Sequence, residues 1–338
     1  MGQTAWTWLQ FAACAAILTV AGAKLSRNGD ILADKTGVSG SWVGLVLLAS
    51  VTSLPELVTG VSAVAAAGAP NIAVGDVLGS CVFNLSILAV VDFLHREESV
   101  YRRASQGHIL SAGFGVILIG FAGLNVLLAQ KGVVFAFGHV GVYSPIFLFL
   151  YVIAIRSIFD YEREQVEGHA AAAASRYPDI SLRQAATRYL LAALVVLAAG
   201  SWLPFIGVRL AEVMGWHRTF VGTLFVAAAT SLPELVVTIA AVRIGAVDMA
   251  IANLLGSNLF NIAILAVDDL AFLPGPLLSH VSPMHAVSAA SATVMTGLVV
   301  VALLYRPRAR IFRTVGWASL GLLTVYLLNT YFLYLHGE

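Results

Sequence analysis

Two copies of one seven-residue segment, each with a proline and a carboxylate inside an apolar stretch, are the strongest chemical signal in this chain. The segment Thr-Ser-Leu-Pro-Glu-Leu-Val occupies residues 52–58 and returns unchanged at residues 230–236. A proline inside a helix removes one backbone N–H and displaces the carbonyl four residues earlier, so nearby oxygens need another partner. Glu56 and Glu234 follow the prolines directly. At mid-membrane depth a charged side chain costs about 2.5–3.5 kcal/mol, so each carboxylate needs a counter-charge.

A second duplicated block supplies neutral oxygens. It reads Leu-Gly-Ser-Cys-Val-Phe-Asn at 78–84 and Leu-Gly-Ser-Asn-Leu-Phe-Asn at 255–261. Ser80 and Asn84 are four residues apart, as are Ser257 and Asn261, so each pair shares a helical face. The glycine before each serine permits close helix packing. Together with the carboxylates, these groups predict an all-oxygen site for a hard cation such as Ca²⁺, with Na⁺ able to use a subset of the oxygens.

The composition places this site in a membrane. The 338 residues are 59% hydrophobic and 11% charged, where a soluble domain carries about 25% charged residues. Long uncharged runs predict an all-α polytopic protein with ten transmembrane helices. The predicted spans are residues 4–24, 41–67, 71–94, 107–129, 132–156, 187–213, 219–243, 247–272, 284–305 and 311–335.

The basic residues predict the orientation. Cytoplasmic loops hold the excess of Lys and Arg, and an exterior N-terminus leaves only Lys131, Arg209 and Arg218 of the 19 basic residues outside. Both termini are then expected outside. The duplicated segments begin in spans two and seven, and an offset of five spans makes the halves inverted repeats. We expect a first half at 1–159, a cytoplasmic linker at 160–186 and a second half at 187–338.

These paired blocks resemble the alpha repeats of the sodium/calcium exchanger family, within the cation/calcium antiporter superfamily, and the resemblance covers nearly the whole chain. It implies two inverted five-helix repeats with discontinuous helices 2, 3, 7 and 8, and alternating access in which helices one and six slide past the core. It further implies that Na⁺ and Ca²⁺ compete for one site. The implied ligands are carboxylates, amides, hydroxyls and backbone carbonyls from both halves: Glu56, Glu234, Asn84, Asn261, Ser53, Ser231, Ser80, Ser257, Thr52 and Thr230.

The chain also departs from the family pattern. Several relatives place Asp where Asn261 stands, so this site has one fewer central carboxylate, and the case for potassium co-transport is weaker. Asp76 occupies a position that is often Asn, as Asn253 is in the second half. Asp76 can face the same side as Ser80, so we expect it to add negative charge to the access path. The regulatory insertion of animal members is missing, and so is the Gly-Asn-x-x-Glu pattern of proton-coupled exchangers.

Alternative functions remain open at this point. Exchange of Ca²⁺ or another divalent cation for protons is the main alternative, since the two glutamates can also protonate. A cation channel is a remote alternative, and an enzyme is not expected because no catalytic motif is found. The expected partners are Ca²⁺, Na⁺ or H⁺ and the lipid bilayer, with no resident cofactor and no nucleic acid.

The remaining expectations concern the surroundings of the site. By analogy, the protein belongs in a bacterial inner membrane and functions as a monomer, although the sequence does not fix its oligomeric state, stoichiometry or direction. Asp92, Asp268 and Asp269 lie near span ends, where we expect solvated charges. The histidines form no cluster in the sequence. Cys14 and Cys81 are expected to be buried, without a disulfide.

Overall fold

The structure, a computed structural model, describes residues 2–35, 49–94, 99–166, 177, 179–243, 245–306 and 316–337. These residues are almost entirely helical. The helices are α1 (Gly2–Lys35), α2 (Leu54–Ala65), α3 (Pro70–Leu94), α4 (Val100–Arg103), α5 (Gly107–Gln130), α6 (Tyr143–Val166), α7 (Leu182–Met214), α8 (Arg218–Phe220), α9 (Ala227–Thr230), α10 (Leu232–Arg243), α11 (Val247–Ala271), α12 (His285–Tyr305) and α13 (Trp317–His336). A π-helix (Val221–Val226) joins α8 to α9, and Leu277–Ser279 forms a 3₁₀ turn.

Among the described residues, eight helices are long and apolar enough to cross a membrane, or nine if the bent pair 218–230 and 232–243 counts as one span. The shorter apolar helix α2 lies in the predicted second span, whose residues 41–48 fall outside the described part. The prediction of an all-α membrane protein is confirmed at this level. Of the predicted linker, residues 160–166 and 182–186 are helical, while 167–176 and 178 are outside the described residues.

Several predicted boundaries are wrong. The fifth span, predicted at 132–156, begins at Tyr143, because turns and a two-stranded antiparallel hairpin of β1 (Ala136–Phe137) and β2 (Val140–Gly141) precede it. Gly132 and Gly138 have φ values of 71° and 62°, a region that favours glycine and ends helical continuity. The first helix continues past residue 24 to Lys35.

The breaks predicted in the second and seventh spans are present, just before α2 and α10, and they are nearly identical. Ser53 has φ −86° and ψ 13°, and Ser231 has φ −87° and ψ 4°. In each copy the chain bends at the serine and a new helix begins, with Pro55 or Pro233 in its first turn, where a missing N–H is tolerated. The prediction that the third and eighth spans are also discontinuous is wrong: these spans are α3 and α11, which are continuous 25-residue helices.

The two unbroken helices α3 and α11 form the centre of the fold. Most of their residues are buried, and they pack against each other and against α2 and α10. Small residues allow the closest approach, since a Cβ on Gly75 would lie 2.9 Å from the backbone nitrogen of Thr223 in the π-helix. Gly222 of the π-helix meets the Ile72 backbone in the same way. The centre is therefore rigid, close-packed backbone against which polar side chains can be held.

Candidate cation site

Glu56 and Glu234 lie in the first turns of α2 and α10, and both are completely buried. The serine at each break bonds to the carboxylate of the other repeat. Ser231 Oγ donates to Glu56 Oε1 at 2.8 Å, and Ser53 Oγ donates to Glu234 Oε1 at 3.2 Å. Ser80 Oγ lies 3.4 Å from Glu56 Oε1 and 2.8 Å from the Ser231 hydroxyl. The two duplicated segments are thus joined by reciprocal bonds from the serine of one to the carboxylate of the other, and we call these residues and their neighbours the cluster.

The threonines at the breaks extend this cluster to both continuous helices. Thr230 Oγ1 donates to Asp76 Oδ1 of α3 at 2.8 Å. In the other copy, Thr52 Oγ1 lies 3.4 Å from Asn253 Oδ1 and 3.3 Å from Ser257 Oγ of α11. Asp76 and Asn253 occupy equivalent positions of the two repeats, so the same contact ends on a carboxylate in one copy and on an amide in the other. The cluster is therefore more negative on the Asp76 side.

The repeated amides of the second block, Asn84 and Asn261, each contact a residue of the opposite helix across the interface between α3 and α11. Asn84 Nδ2 donates to Asn258 Oδ1 at 3.1 Å, and Asn258 Nδ2 donates to the Cys81 carbonyl at 3.1 Å. Asn261 Nδ2 lies 3.9 Å from Cys81 Sγ. These bonds occupy the amide nitrogens of Asn84 and Asn261. Their oxygens have no hydrogen-bond partner among the described residues.

Sequence reasoning missed Cys81 and Asn258 as the groups that orient these amides. They are equivalent positions, one residue after each repeated serine, but their chemical types differ. Because the two residues are not alike, comparison of the repeats gave no signal for them. Cys81 and Cys14 are buried and free, as expected.

Five buried oxygens of the cluster have no hydrogen-bond partner in the described part of the chain. They are Glu56 Oε2, Glu234 Oε2, Asp76 Oδ2, Asn84 Oδ1 and Asn261 Oδ1. Buried polar atoms are rarely left without a partner, so each such atom requires an explanation. None of the ion pairs between described residues brings a Lys or Arg to these carboxylates. Carboxylate and amide oxygens are the donors that hard cations prefer.

The expectation that Asp92 and Asp269 are solvated is wrong: both are completely buried at the ends of α3 and α11. Asp269 accepts hydrogen bonds from the backbone of Gly141 (2.8 Å) and Leu277 (2.6 Å), from Ser144 Oγ (2.5 Å) and from Tyr143 Oη (2.7 Å). It thereby fixes the hairpin and the start of α6 to the end of α11.

Asp92 makes an equivalent set of bonds. It accepts from the backbone of Val100 (3.1 Å) and Gly316 (3.3 Å) and from Ser319 Oγ (2.7 Å). In both sets one donor lies eight residues after the aspartate, and two others are a backbone N–H and the serine three residues after it; Tyr143 is an additional donor to Asp269. The aspartates at 92 and 269 therefore act as equivalent structural locks.

Two buried histidines form another matching pair of contacts, although no histidine cluster was expected from the sequence. His108 Nε2 lies 2.9 Å from Asp248 Oδ1, and His285 Nε2 lies 3.2 Å from Asn71 Oδ1. Asp248 also accepts from the Ser105 backbone N–H. These contacts join the first turns of α5 and α12 to the first turns of α11 and α3, and they lie away from the cation cluster.

The family model described as sodium/calcium exchanger protein matches residues 6–159 and 185–335, which is most of the chain. The chain therefore belongs to the sodium/calcium exchanger family.

Particular relatives support this assignment. The chain is similar to the sodium/calcium exchanger MaX1 of Methanosarcina acetivorans, with 27% identity over 71% of this chain and 75% of that one. The fold is similar to that of the H⁺/Ca²⁺ exchanger CAX, with a TM-score of 0.69, 18% identity and coverage of 97% of this chain and 81% of that chain. It is also similar to the sodium-calcium exchanger NCX_Mj, with a TM-score of 0.61, 21% identity and coverage of 96% and 97%.

Proposed function

We propose that this protein is a secondary active antiporter that exchanges Ca²⁺ for Na⁺ at the buried cluster. The observation that carries the proposal is a set of buried oxygens, contributed by both repeats, that have no hydrogen-bond partner among the described residues. They belong to Glu56, Glu234, Asn84 and Asn261. A Ca²⁺ ion between the two glutamates would neutralise both charges and satisfy these oxygens together. In this proposal the empty, ionised cluster is unfavourable in the membrane, so one ion must replace another, as exchange requires.

Protons are the alternative coupling ion. The fold likeness to CAX, whose name describes H⁺/Ca²⁺ exchange, favours this second candidate. We prefer Na⁺ because hydroxyls lie at hydrogen-bond distance from the carboxylates: Ser231 and Ser80 from Glu56, and Thr230 from Asp76. A proton needs only the carboxylate, whereas a metal ion also needs these neutral oxygens. We assign the same roles to Ser53, Ser257 and Thr52 in the other repeat.

We further propose that the molecule consists of two inverted five-helix repeats with ten spans. The matching locks at Asp92 and Asp269 support this arrangement, because each aspartate binds a backbone N–H and a serine from the other half of the chain. The similar breaks at Ser53 and Ser231 support it as well. In this proposal the halves are 1–159 and 187–338, and residues 160–186 connect them on the cytoplasmic side.

Alternating access would follow from the unequal positions of α1 and α7. Gly22 of α1 and Gly200 of α7 occupy equivalent positions. A Cβ on Gly22 would meet Pro233 of α10, whereas a Cβ on Gly200 would lie 3.1 Å from Val58 of α2. The equivalent of Pro233 is Pro55, three residues before Val58. The core positions that α1 and α7 contact therefore differ by three residues between the repeats, which is about 4.5 Å along the helix at 1.5 Å per residue.

A second pair of glycines gives the same offset. A Cβ on Gly29 would lie 3.5 Å from Val51, and a Cβ on its equivalent Gly207 would lie 3.2 Å from Val226. Val51 corresponds to Ala229, three residues after Val226. Both pairs fit a conformation in which α1 and α7 are displaced together along the core. We propose that α1 and α7 slide by this amount in the opposite direction. Each then makes the contact that its equivalent helix makes now, and the site opens to the other side of the membrane.

The surroundings of the site complete the proposal. α5, α6 and α7 expose large apolar side chains such as Leu127, Phe149 and Leu194, as lipid-facing helices do. The distribution of basic residues supports an orientation with both termini outside and the linker in the cytoplasm, and a bacterial inner membrane is the proposed location. We propose that one chain is sufficient for transport, and that no chemical transformation takes place.

The test is Ca²⁺ uptake into proteoliposomes in which Na⁺, K⁺ and H⁺ gradients are imposed separately. The proposal requires uptake that an outward Na⁺ gradient drives at constant pH and that a K⁺ gradient of the same size does not drive. Uptake driven by a pH gradient without Na⁺ would support the proton alternative instead. Single-channel currents through the reconstituted protein would contradict a carrier.

A further inference from the structure

Asp268 is a buried carboxylate that the proposed exchange site does not use. It lies near the end of α11, is completely buried, and neither of its oxygens has a hydrogen-bond partner among the described residues. Its neighbour Asp269 differs in this respect, because four donors satisfy it. The expectation that Asp268 is solvated is therefore wrong, and its charge is unexplained by the fold.

The position of Asp268 links it to the exchange site. A Cβ on Gly60 of α2 would overlap both oxygens of Asp268, so the carboxyl group lies directly against the α2 backbone. Gly60 is one turn from Glu56, and Asp268 is two turns from Asn261. At 1.5 Å per residue these separations correspond to about 6 Å and about 10 Å along the helices. Asp268 thus lies beyond one end of the cluster, between the same helices.

Asp76 lies near the same end of the cluster. Because Asn84 contacts Asn258 and Cys81 contacts Asn261, α3 and α11 run antiparallel in a register that places Asp76 about level with residue 266, two positions from Asp268. Its Oδ2 is also without a hydrogen-bond partner among the described residues. Three free carboxylate oxygens therefore belong to Asp76 and Asp268 together. In the other repeat the position equivalent to Asp268 is Val91, and the position equivalent to Gly60 is Thr238. The arrangement is present at one end of the cluster and is not part of the duplicated pattern.

A metal cation accounts for these free oxygens better than a proton does. A protonated carboxyl group carries an O–H donor that needs an acceptor, and neither oxygen of Asp268 has a hydrogen-bond partner in the described part of the chain. An ionised carboxylate needs a counter-charge in so buried a position. A partly hydrated Na⁺ or Ca²⁺ provides both the charge and, through its water ligands, hydrogen-bond donors for the remaining oxygens.

We propose that Asp268 and Asp76 form a second cation-binding position, which holds a hard, partly hydrated cation next to the exchange site. This inference rests on the proposed function. The second position raises the cation concentration at one entrance of the cluster, and it compensates there for the carboxylate that Asn261 lacks. With the N-terminus outside, this entrance is the exterior one.

The test is Ca²⁺-dependent thermal unfolding of the purified full-length protein, combined with Ca²⁺ uptake in proteoliposomes. Asp268→Asn should weaken the apparent Ca²⁺ affinity about five-fold in both measurements, at the low end of typical coupling between two sites. Without Ca²⁺, Asp268→Asn should unfold at a higher temperature than the wild type, because an unpaired buried charge has been removed. Asp76→Asn should also weaken Ca²⁺ binding, and the double variant should lose less than the sum of the two effects.

Glu212→Gln is the matched control, since Glu212 is an exposed acid on α7 whose side chain is 63% accessible. It should behave as the wild type. Unchanged Ca²⁺ affinity in Asp268→Asn, with or without an altered pH dependence of uptake, would overturn the second position and leave the exchange site intact. A wild-type protein without any Ca²⁺ response would overturn the proposed function and this inference together. If Asp268→Asn does not fold, Asp76→Asn decides: an affinity equal to that of the wild type overturns the inference.

Discussion

Replacement of Asp269 by alanine tests whether the buried aspartates lock the ends of the central helices. The carboxylate accepts two backbone N–H groups, from Gly141 and Leu277, and two hydroxyls, from Ser144 and Tyr143. The hydroxyls can turn to other acceptors, but the two backbone donors are left buried. Each unsatisfied buried donor costs about 1–3 kcal/mol, so the expected loss of stability is about 2–6 kcal/mol. The measurement is thermal or denaturant unfolding of the purified protein in detergent.

Asp92→Ala is the matched comparison, because it also leaves two backbone donors buried, those of Val100 and Gly316. The two variants should lose similar amounts of stability. Asp269→Asn retains one acceptor oxygen and should lose less than Asp269→Ala. Wild-type stability in both alanine variants would refute the reasoning that these aspartates hold the hairpin and α13 in place.

Two further predictions concern packing and the cation cluster. Gly79→Ala should prevent correct folding, because its Cβ would overlap the backbone of Thr223 in the π-helix; size-exclusion profiles of the purified variant test this, and a native profile would contradict it. Ser231→Ala should weaken Ca²⁺ binding more than Ser53→Ala, because the Ser231 hydroxyl bonds at 2.8 Å to its carboxylate and the Ser53 hydroxyl at 3.2 Å. Equal affinities measured by Ca²⁺ titration would contradict this second prediction.

The centre of the site could be predicted from the sequence because its chemistry is duplicated. Glu56 and Glu234 follow prolines at identical positions, and the breaks at Ser53 and Ser231 fall where the prolines require them. The effect of proline also explains why the breaks predicted in the third and eighth spans, α3 and α11, were wrong. Those segments contain no internal proline after Pro70, so nothing interrupts their backbone hydrogen bonds.

The surrounding polar contacts could not be predicted from sequence. Two partners of Asp92, Gly316 and Ser319, are more than 200 residues away, and those of Asp269 include Gly141, more than 100 residues earlier. Position near a span end suggests water around such groups, but the tertiary fold brings backbone donors there instead. Asp268 differs from them, because it is covered by the α2 backbone at Gly60 and has no hydrogen-bond donor among the described residues.

The most direct test of the central claim is the Ca²⁺ affinity of Glu56→Gln, Glu234→Gln and the double variant, measured by Ca²⁺ titration of the purified protein. If the two carboxylates hold one ion, each single variant should weaken binding about 100-fold or more, the size of a lost charge-assisted contact of about 3 kcal/mol. The double variant should then bind little more weakly than either single variant, since residues that act as a unit are not additive. Independent, additive losses, or near-wild-type binding in either single variant, would contradict a shared cation between Glu56 and Glu234.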